Sequence, residues 1–93
     1  MTSYKLITSK EADEDMAFLK KSEINAYQKA KELFKELKKH PRSGSGRPKI
    51  MKYGKFKGFW SRRITLKHRI IYSISDEEVS VFVLTAKGHY DDK

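Results

Sequence analysis

The 93-residue chain is basic, with 21 Lys and Arg against 12 Asp and Glu and a net charge of +9. It contains no cysteine, which excludes disulfides, cysteine-based metal sites and cysteine nucleophiles. No apolar run approaches the roughly 20 residues of a membrane-spanning helix, and the N-terminus lacks the apolar segment of a signal peptide. We therefore expect one domain over residues 1–93, cytoplasmic and without membrane contact.

The N-terminal part of the chain predicts one strand followed by two helices. Residues 4–8 form the strand, and Ser9 is a suitable N-cap for a helix over residues 10–20, which begins with several acidic side chains. Apolar residues at helical spacing predict a second helix over residues 23–39, and Pro41 lies just beyond its end. The short connection between them favours an antiparallel helical hairpin.

The C-terminal part predicts four strands after a Gly- and Ser-rich loop at residues 42–48. The strands are expected at residues 50–53, 58–65, 68–75 and 79–87. The last strand is apolar on both faces, so it should lie in the centre of the sheet. The order β-α-α-β-β-β-β predicts an α+β fold, with the helical hairpin packed on one face of a mostly antiparallel sheet.

Positive charge is concentrated in one segment of the chain, which includes two adjacent predicted strands. Twelve of the 21 Lys and Arg lie between residues 38 and 69, and no Asp or Glu occurs from residue 37 to residue 75. A cationic sheet surface suits an anionic partner such as nucleic acid or an acidic protein. An anionic membrane is disfavoured, because the basic segment predicts strands rather than an amphipathic helix.

Four segments of the sequence together resemble the YoeB/Txe toxins of the RelE superfamily. They are GSGRP at 44–48, GFWSRRIT at 58–65, HRIIYSI at 68–74 and HY at 89–90. The resemblance implies a RelE-like fold and a bacterial toxin that enters the ribosomal A site, contacts ribosomal RNA and cuts mRNA without a metal or other cofactor. It also implies a YefM/Phd-type antitoxin, contact with operator DNA only through the antitoxin complex, and a homodimer as a candidate assembly.

The resemblance assigns catalytic roles to Arg69, His89 and Tyr90, in a cleavage by the RNA 2′-hydroxyl that leaves a 2′,3′-cyclic phosphate. Arg69 would stabilise the phosphorane, because a planar guanidinium binds two oxygens at once. His89 would protonate the leaving 5′-oxygen, and Tyr90 would stack on a base or orient the phosphate. His68 is expected to be structural, since it would face the other side of the sheet from Arg69.

Lys49 stands where the family usually has a Glu that is interpreted as the general base. Neighbouring cations favour its neutral amine by like-charge repulsion, whereas bound phosphates oppose this. Two roles therefore stay open: Lys49 acts as the base, or it stabilises charge while the attack proceeds more slowly. The alternative to a nuclease is a weakly active or non-catalytic RNA-binding and ribosome-binding protein of the same fold.

Further basic and aromatic residues are candidates for RNA contact. Lys52 and Arg63 match phosphate-facing positions of the family. Backbone contacts to RNA are expected from three more cations: Arg47, Arg62 and Lys67. Trp60 can stack on a base, although an aromatic side chain on a strand is more often part of the core.

Overall fold

The molecule is built from a five-stranded sheet and two helices. The computed structural model describes residues 3–88. Its elements in chain order are β1 Lys5–Thr8, α1 Lys10–Ser22, α2 Ile24–Lys39, β2 Lys49–Ile50, β3 Trp60–Arg63, β4 Arg69–Ser75 and β5 Ser80–Thr85. The predicted order of elements and the α+β class are confirmed.

The strands lie in the order β1-β5-β4-β3-β2. β5 is parallel to β1, and every other neighbouring pair is antiparallel. β5 has a neighbour on each side, so it is an interior strand as its two apolar faces predicted, but the central position is held by β4. Both helices share one core cluster with β4 and β5, so within residues 3–88 the opposite face of the sheet carries no helix. We call this the helix-free face.

The first helix is attached to the sheet through its N-cap. Ser9 Oγ accepts a hydrogen bond from the Ala12 amide at 2.9 Å and donates one to the Leu84 carbonyl at 2.6 Å. One hydroxyl therefore satisfies a free amide of α1 and links that helix to β5. The second helix ends at His40, whose amide donates to the Glu36 carbonyl.

The core lies between the helical hairpin and the sheet. Its fully buried side chains are Ala12, Leu19, Ala30, Leu33, Leu37, Ile70, Tyr72, Val81, Val83 and Ala86. Burial of one Leu or Ile contributes about 1.5–3 kcal/mol, so this cluster supplies much of the free energy of folding. The apolar stripe predicted for α2 is confirmed except at its start, where Ile24 is half exposed. Within residues 3–88 neither helix has the length and hydropathy needed to span a membrane.

The second and third strands are shorter than predicted. β2 contains only two residues, because residues 51–58 leave the sheet in a loop with positive φ at Gly54 and Gly58. β3 ends at Arg63, where the chain turns and the amides of both Ile64 and Thr65 donate to the His68 carbonyl. The ends of these two strands depend on backbone contacts in the loops that follow them, and the alternation of apolar and polar residues along a strand does not indicate such contacts.

Candidate active site

The strand register gives β3 two chemically different faces. Directly paired residues of antiparallel strands point to the same face. Trp60 pairs with Tyr72 and Arg62 pairs with Ile70, and both partners belong to the core under the helices. Trp60 and Arg62 therefore face the helices, and the residues that alternate with them face the other way.

Three cations share the helix-free face. Lys49 of β2 pairs with Ser61 of β3, and Arg63 pairs with Arg69 of β4. Paired side chains start roughly 5 Å apart and diagonal neighbours roughly 7–8 Å apart, so Lys49 and Arg69 lie near Ser61, and Arg63 follows it two residues along the same strand. On the β4 side Ser61 pairs with Ile71. Arg69 Nη1 donates to Ser61 Oγ at 3.3 Å, which orients the guanidinium within this group. We call Lys49, Arg63 and Arg69 the cationic face.

Within residues 3–88 no acid neutralises the charges of the cationic face. No carboxylate in residues 3–88 forms an ion pair with any of its three members. Arg63 and Arg69 are partly buried, and Lys49 is exposed. A partly buried cation interacts more strongly with a bound anion than one in bulk water, and an arginine binds a phosphate through two parallel hydrogen bonds. The arrangement suits a phosphodiester.

The Gly-rich loop approaches β3 closely beside the cationic face. The Arg63 amide donates to the Gly46 carbonyl at 2.7 Å. Gly46 has φ +83°, and a Cβ at this position would lie 2.9 Å from the Arg63 carbonyl oxygen. Only glycine satisfies both conditions without displacement of the backbone. Arg47 follows on this loop with an exposed side chain, and Lys49 opens β2.

Arg62 has a structural role, so the prediction that it contacts RNA is wrong. Its side chain is fully buried and forms an ion pair of 2.9 Å with Glu36 of α2. Its remaining hydrogen bonds go to the Tyr72 hydroxyl and to three loop carbonyls, those of His40, Ser43 and Ser45. A buried guanidinium needs such partners, because an unpaired buried charge is strongly destabilising. Arg62 thus fixes the loop from inside the molecule.

This buried network shifts the pKa values of Glu36 and Tyr72. Burial by itself would raise the pKa of Glu36, but hydrogen bonds from Ser45 and Arg62, together with the charge of Arg62, outweigh it and lower the pKa. Burial raises the pKa of Tyr72, and Arg62 opposes that rise only in part. Glu36 is therefore held as a carboxylate and Tyr72 as a neutral phenol, which donates to the Pro41 carbonyl at 2.7 Å.

The other predicted contact residues are not members of the cationic face. Lys52 is exposed on the loop after β2. Lys67 lies on the β3–β4 turn, and its Nζ is 3.8 Å from a carboxylate oxygen of Glu23 at the junction of the two helices. Trp60 is partly buried and packs against the core cluster, which favours the core interpretation over base stacking. Residues 3–88 hold no group of three or more His, Asp or Glu that could bind a metal ion.

His89 and Tyr90 lie outside the described residues. The last described strand, β5, ends at Thr85, which pairs with Ile71, two residues along β4 from Arg69. Sequence reasoning missed Ser61 and Glu36. Alternation within the WSRR segment places Ser61 on the same face as Arg63 and could have indicated it, whereas Glu36 is paired with a residue 26 positions away and has no local signal.

Comparison with known proteins identifies the family. The family model for YoeB-like toxins of bacterial type II toxin–antitoxin systems matches residues 8–90. The chain belongs to this family. Toxin YoeB of Escherichia coli strain K12 is 35% identical over 86 residues, covering 92% of this chain and 99% of the relative.

Solved structures of the same family have the same fold. The YoeB/ParE toxin from Agrobacterium tumefaciens matches with a TM-score of 0.83 and 30% identity, covering 92% of this chain and 99% of that one. A YoeB–YefM complex from Staphylococcus aureus matches with a TM-score of 0.77 and 26% identity, covering 94% and 98%. A YoeB dimer from the same organism matches with a TM-score of 0.80 and 27% identity, covering 96% of this chain and 100% of that one.

Proposed function

We propose that this YoeB-family toxin is an endoribonuclease that cleaves mRNA in the ribosomal A site through the RNA's own 2′-hydroxyl. The observation that carries the proposal is the cationic face, in which Lys49, Arg63 and Arg69 share one side of the sheet beside Ser61 and form no ion pair within residues 3–88. Preorganised cations stabilise the charge that develops on a phosphorane, and this effect is commonly the largest single contribution to catalysis.

In the proposed reaction Arg69 binds the non-bridging oxygens of the scissile phosphate, and Arg63 opposite it adds a second cation. His89 protonates the leaving 5′-oxygen as the 2′-hydroxyl attacks, and Tyr90 stacks on a base or orients the phosphate. The exposed Arg47 and Lys52 contact the RNA backbone beside the site. None of these steps is assigned to a metal or cofactor.

Lys49 is proposed to act in one of two ways. As a neutral amine it removes the 2′-hydroxyl proton; as a cation it stabilises the phosphorane, and attack is slower. The two roles differ in their pH dependence. A single-turnover rate that rises with pH and loses this rise in Lys49→Ala identifies the base. An unchanged profile removes the base role, and the same profile at a lower rate in Lys49→Ala identifies the charge role. Lys49→Glu, which introduces the usual carboxylate, should accelerate cleavage if Lys49 has the charge role.

The function is tested with programmed ribosomes and mapping of mRNA 5′ ends. The expected result is a cut within the A-site codon that leaves a 2′,3′-cyclic phosphate. Arg69→Lys retains the charge but loses bidentate binding, so cleavage should fall by at least about tenfold. Lys39→Ala, which removes an exposed charge from α2, is the control and should cleave normally. If mRNA stays intact in the presence of the wild-type protein, the proposed nuclease activity is refuted.

The second candidate function is arrest of translation by occupation of the A site without cleavage. Lys49 favours it, because this chain carries no carboxylate at that position. Translation that stops while mRNA stays intact would support this candidate. Normal translation with ribosomes still bound would leave only a binding function.

The partners proposed for this chain follow from its charge and from its relatives. The cationic face suits an acidic antitoxin segment of the YefM/Phd type, and a solved relative is a YoeB–YefM complex. Operator DNA is then contacted through that complex. A homodimer is also proposed, since another relative was solved as a YoeB dimer. Co-expression with a small acidic protein encoded beside this one should abolish toxicity, and light scattering of the isolated toxin measures its oligomeric state.

A further inference from the structure

His68 is a buried titratable group that has no role in the proposed reaction. Its side chain is 6% exposed and lies between two distant parts of the chain. Nε2 is 3.0 Å from Glu23 Oε1 at the junction of the helices. Nδ1 is 2.9 Å from the amide nitrogen of Gly88. The His68 amide itself donates to Thr65 Oγ1 on the preceding turn.

The partners of His68 determine its tautomer. A backbone amide can only donate, so Nδ1 must accept from Gly88 and carries no proton. The ring is then neutral, with its proton on Nε2, and that proton is donated to the carboxylate of Glu23. Glu23 is therefore the group that selects the accepting form of Nδ1, and Lys67 lies beside the other oxygen of the same carboxylate.

The two residues joined by this hydrogen bond are each adjacent in the sequence to a proposed catalytic residue. His68 directly precedes Arg69, and Gly88 directly precedes His89. Gly88 has φ +77°, a conformation that leaves its amide directed at His68 rather than at a strand partner. The hydrogen bond thus joins the start of β4 to the segment that carries the proposed general acid.

We propose that His68 is a positioning residue, which holds the Gly88 amide and so fixes the backbone that leads into the proposed general acid, the next residue in the sequence. This inference rests on the proposed function. Loss of the contact should lower the rate of the chemical step, because a misplaced acid reduces turnover while contacts with the substrate persist. Binding of programmed ribosomes should change little.

Two substitutions separate the contacts of the ring. In His68→Asn the side-chain oxygen lies near the position of Nδ1, so it can accept from Gly88 but cannot reach Glu23. In His68→Gln the side-chain amide lies near the position of Nε2, so it can donate to Glu23 but leaves Gly88 without its acceptor. Each variant loses one hydrogen bond, so both should lose similar thermal stability. The pair is therefore matched for a purely structural effect.

The test measures single-turnover cleavage at saturating programmed ribosomes, the ribosome concentration that gives half the maximal rate, and the chemical shift of the Gly88 amide. We expect His68→Gln to cleave about three- to tenfold more slowly with an unchanged half-saturating concentration and a shifted Gly88 signal. His68→Asn should keep the rate within about twofold and should keep the Gly88 amide in a hydrogen bond, so that its signal stays closer to the wild type than in His68→Gln. Equal rates in the two variants, with an active wild type, would overturn the positioning role alone. A wild type that does not cleave would overturn the proposed function and this role together.

Discussion

Replacement of Arg62 with Met tests whether the buried cation supports the loop rather than the substrate. Met fills much of the same volume but removes the ion pair with Glu36 and the hydrogen bonds to Tyr72 and the loop carbonyls. The matched control is Arg63→Met. Arg63 is the next residue on the same strand, faces the helix-free side and has no ion pair within residues 3–88.

The expected magnitude follows from burial. Removal of one partner from a buried ion pair costs about 3–5 kcal/mol. The Glu36 side chain is 34% exposed, so water recovers part of this loss. We expect Arg62→Met to lower the free energy of unfolding by about 3–4 kcal/mol, a large share of the roughly 5–15 kcal/mol of a typical domain. Arg63→Met should cost less than about 1 kcal/mol.

Urea denaturation followed by circular dichroism measures both variants, and the cleavage assay is run well below their melting temperatures. Arg63→Met should lose cleavage while it retains stability, which is the reverse of the expectation for Arg62→Met. A loss below about 1 kcal/mol in Arg62→Met, or equal losses in the two variants, would refute the assignment of Arg62 to loop support.

Three further predictions concern the same region. Because the pKa of Glu36 is lowered in the folded protein, the unfolded state binds more protons at low pH. The stability that the Glu36 carboxylate contributes is therefore complete above its ordinary pKa of 4.5 and is lost as pH falls through the folded pKa. Between pH 6 and pH 3 the melting temperature should fall less steeply in Glu36→Gln than in the wild type. Gly46→Ala should be at least about 1 kcal/mol more destabilising than Gly54→Ala in urea titrations, because both positions have positive φ but only the first lacks space for a Cβ; equal losses would exclude the steric argument. Ser61→Ala removes the acceptor of Arg69 and should slow single-turnover cleavage about three- to tenfold at unchanged stability, and an unchanged rate would show that this hydrogen bond does not orient the guanidinium.

The order and type of the elements could be predicted from local signals. Ser9 was expected to cap the first helix and does so, and the last strand, expected in the centre of the sheet because both its faces are apolar, has a neighbour on each side. The ends of β2 and β3 could not be predicted. They depend on backbone hydrogen bonds within the loop at residues 51–59 and across the turn from Ile64 to His68, which the alternation of residue types does not indicate.

The three cations of the site were predictable, but the exclusion of Arg62 from it was not. The sequence alone determined the family, the cation-rich sheet and the candidates Lys49, Arg63 and Arg69, because motif residues and charge are properties of the chain itself. Only the tertiary structure separated Arg62 from Arg63. In the sequence two adjacent arginines are equivalent. Pairing of β3 with β4 decides that Arg62 faces the core, and the distant acid Glu36 neutralises its buried charge.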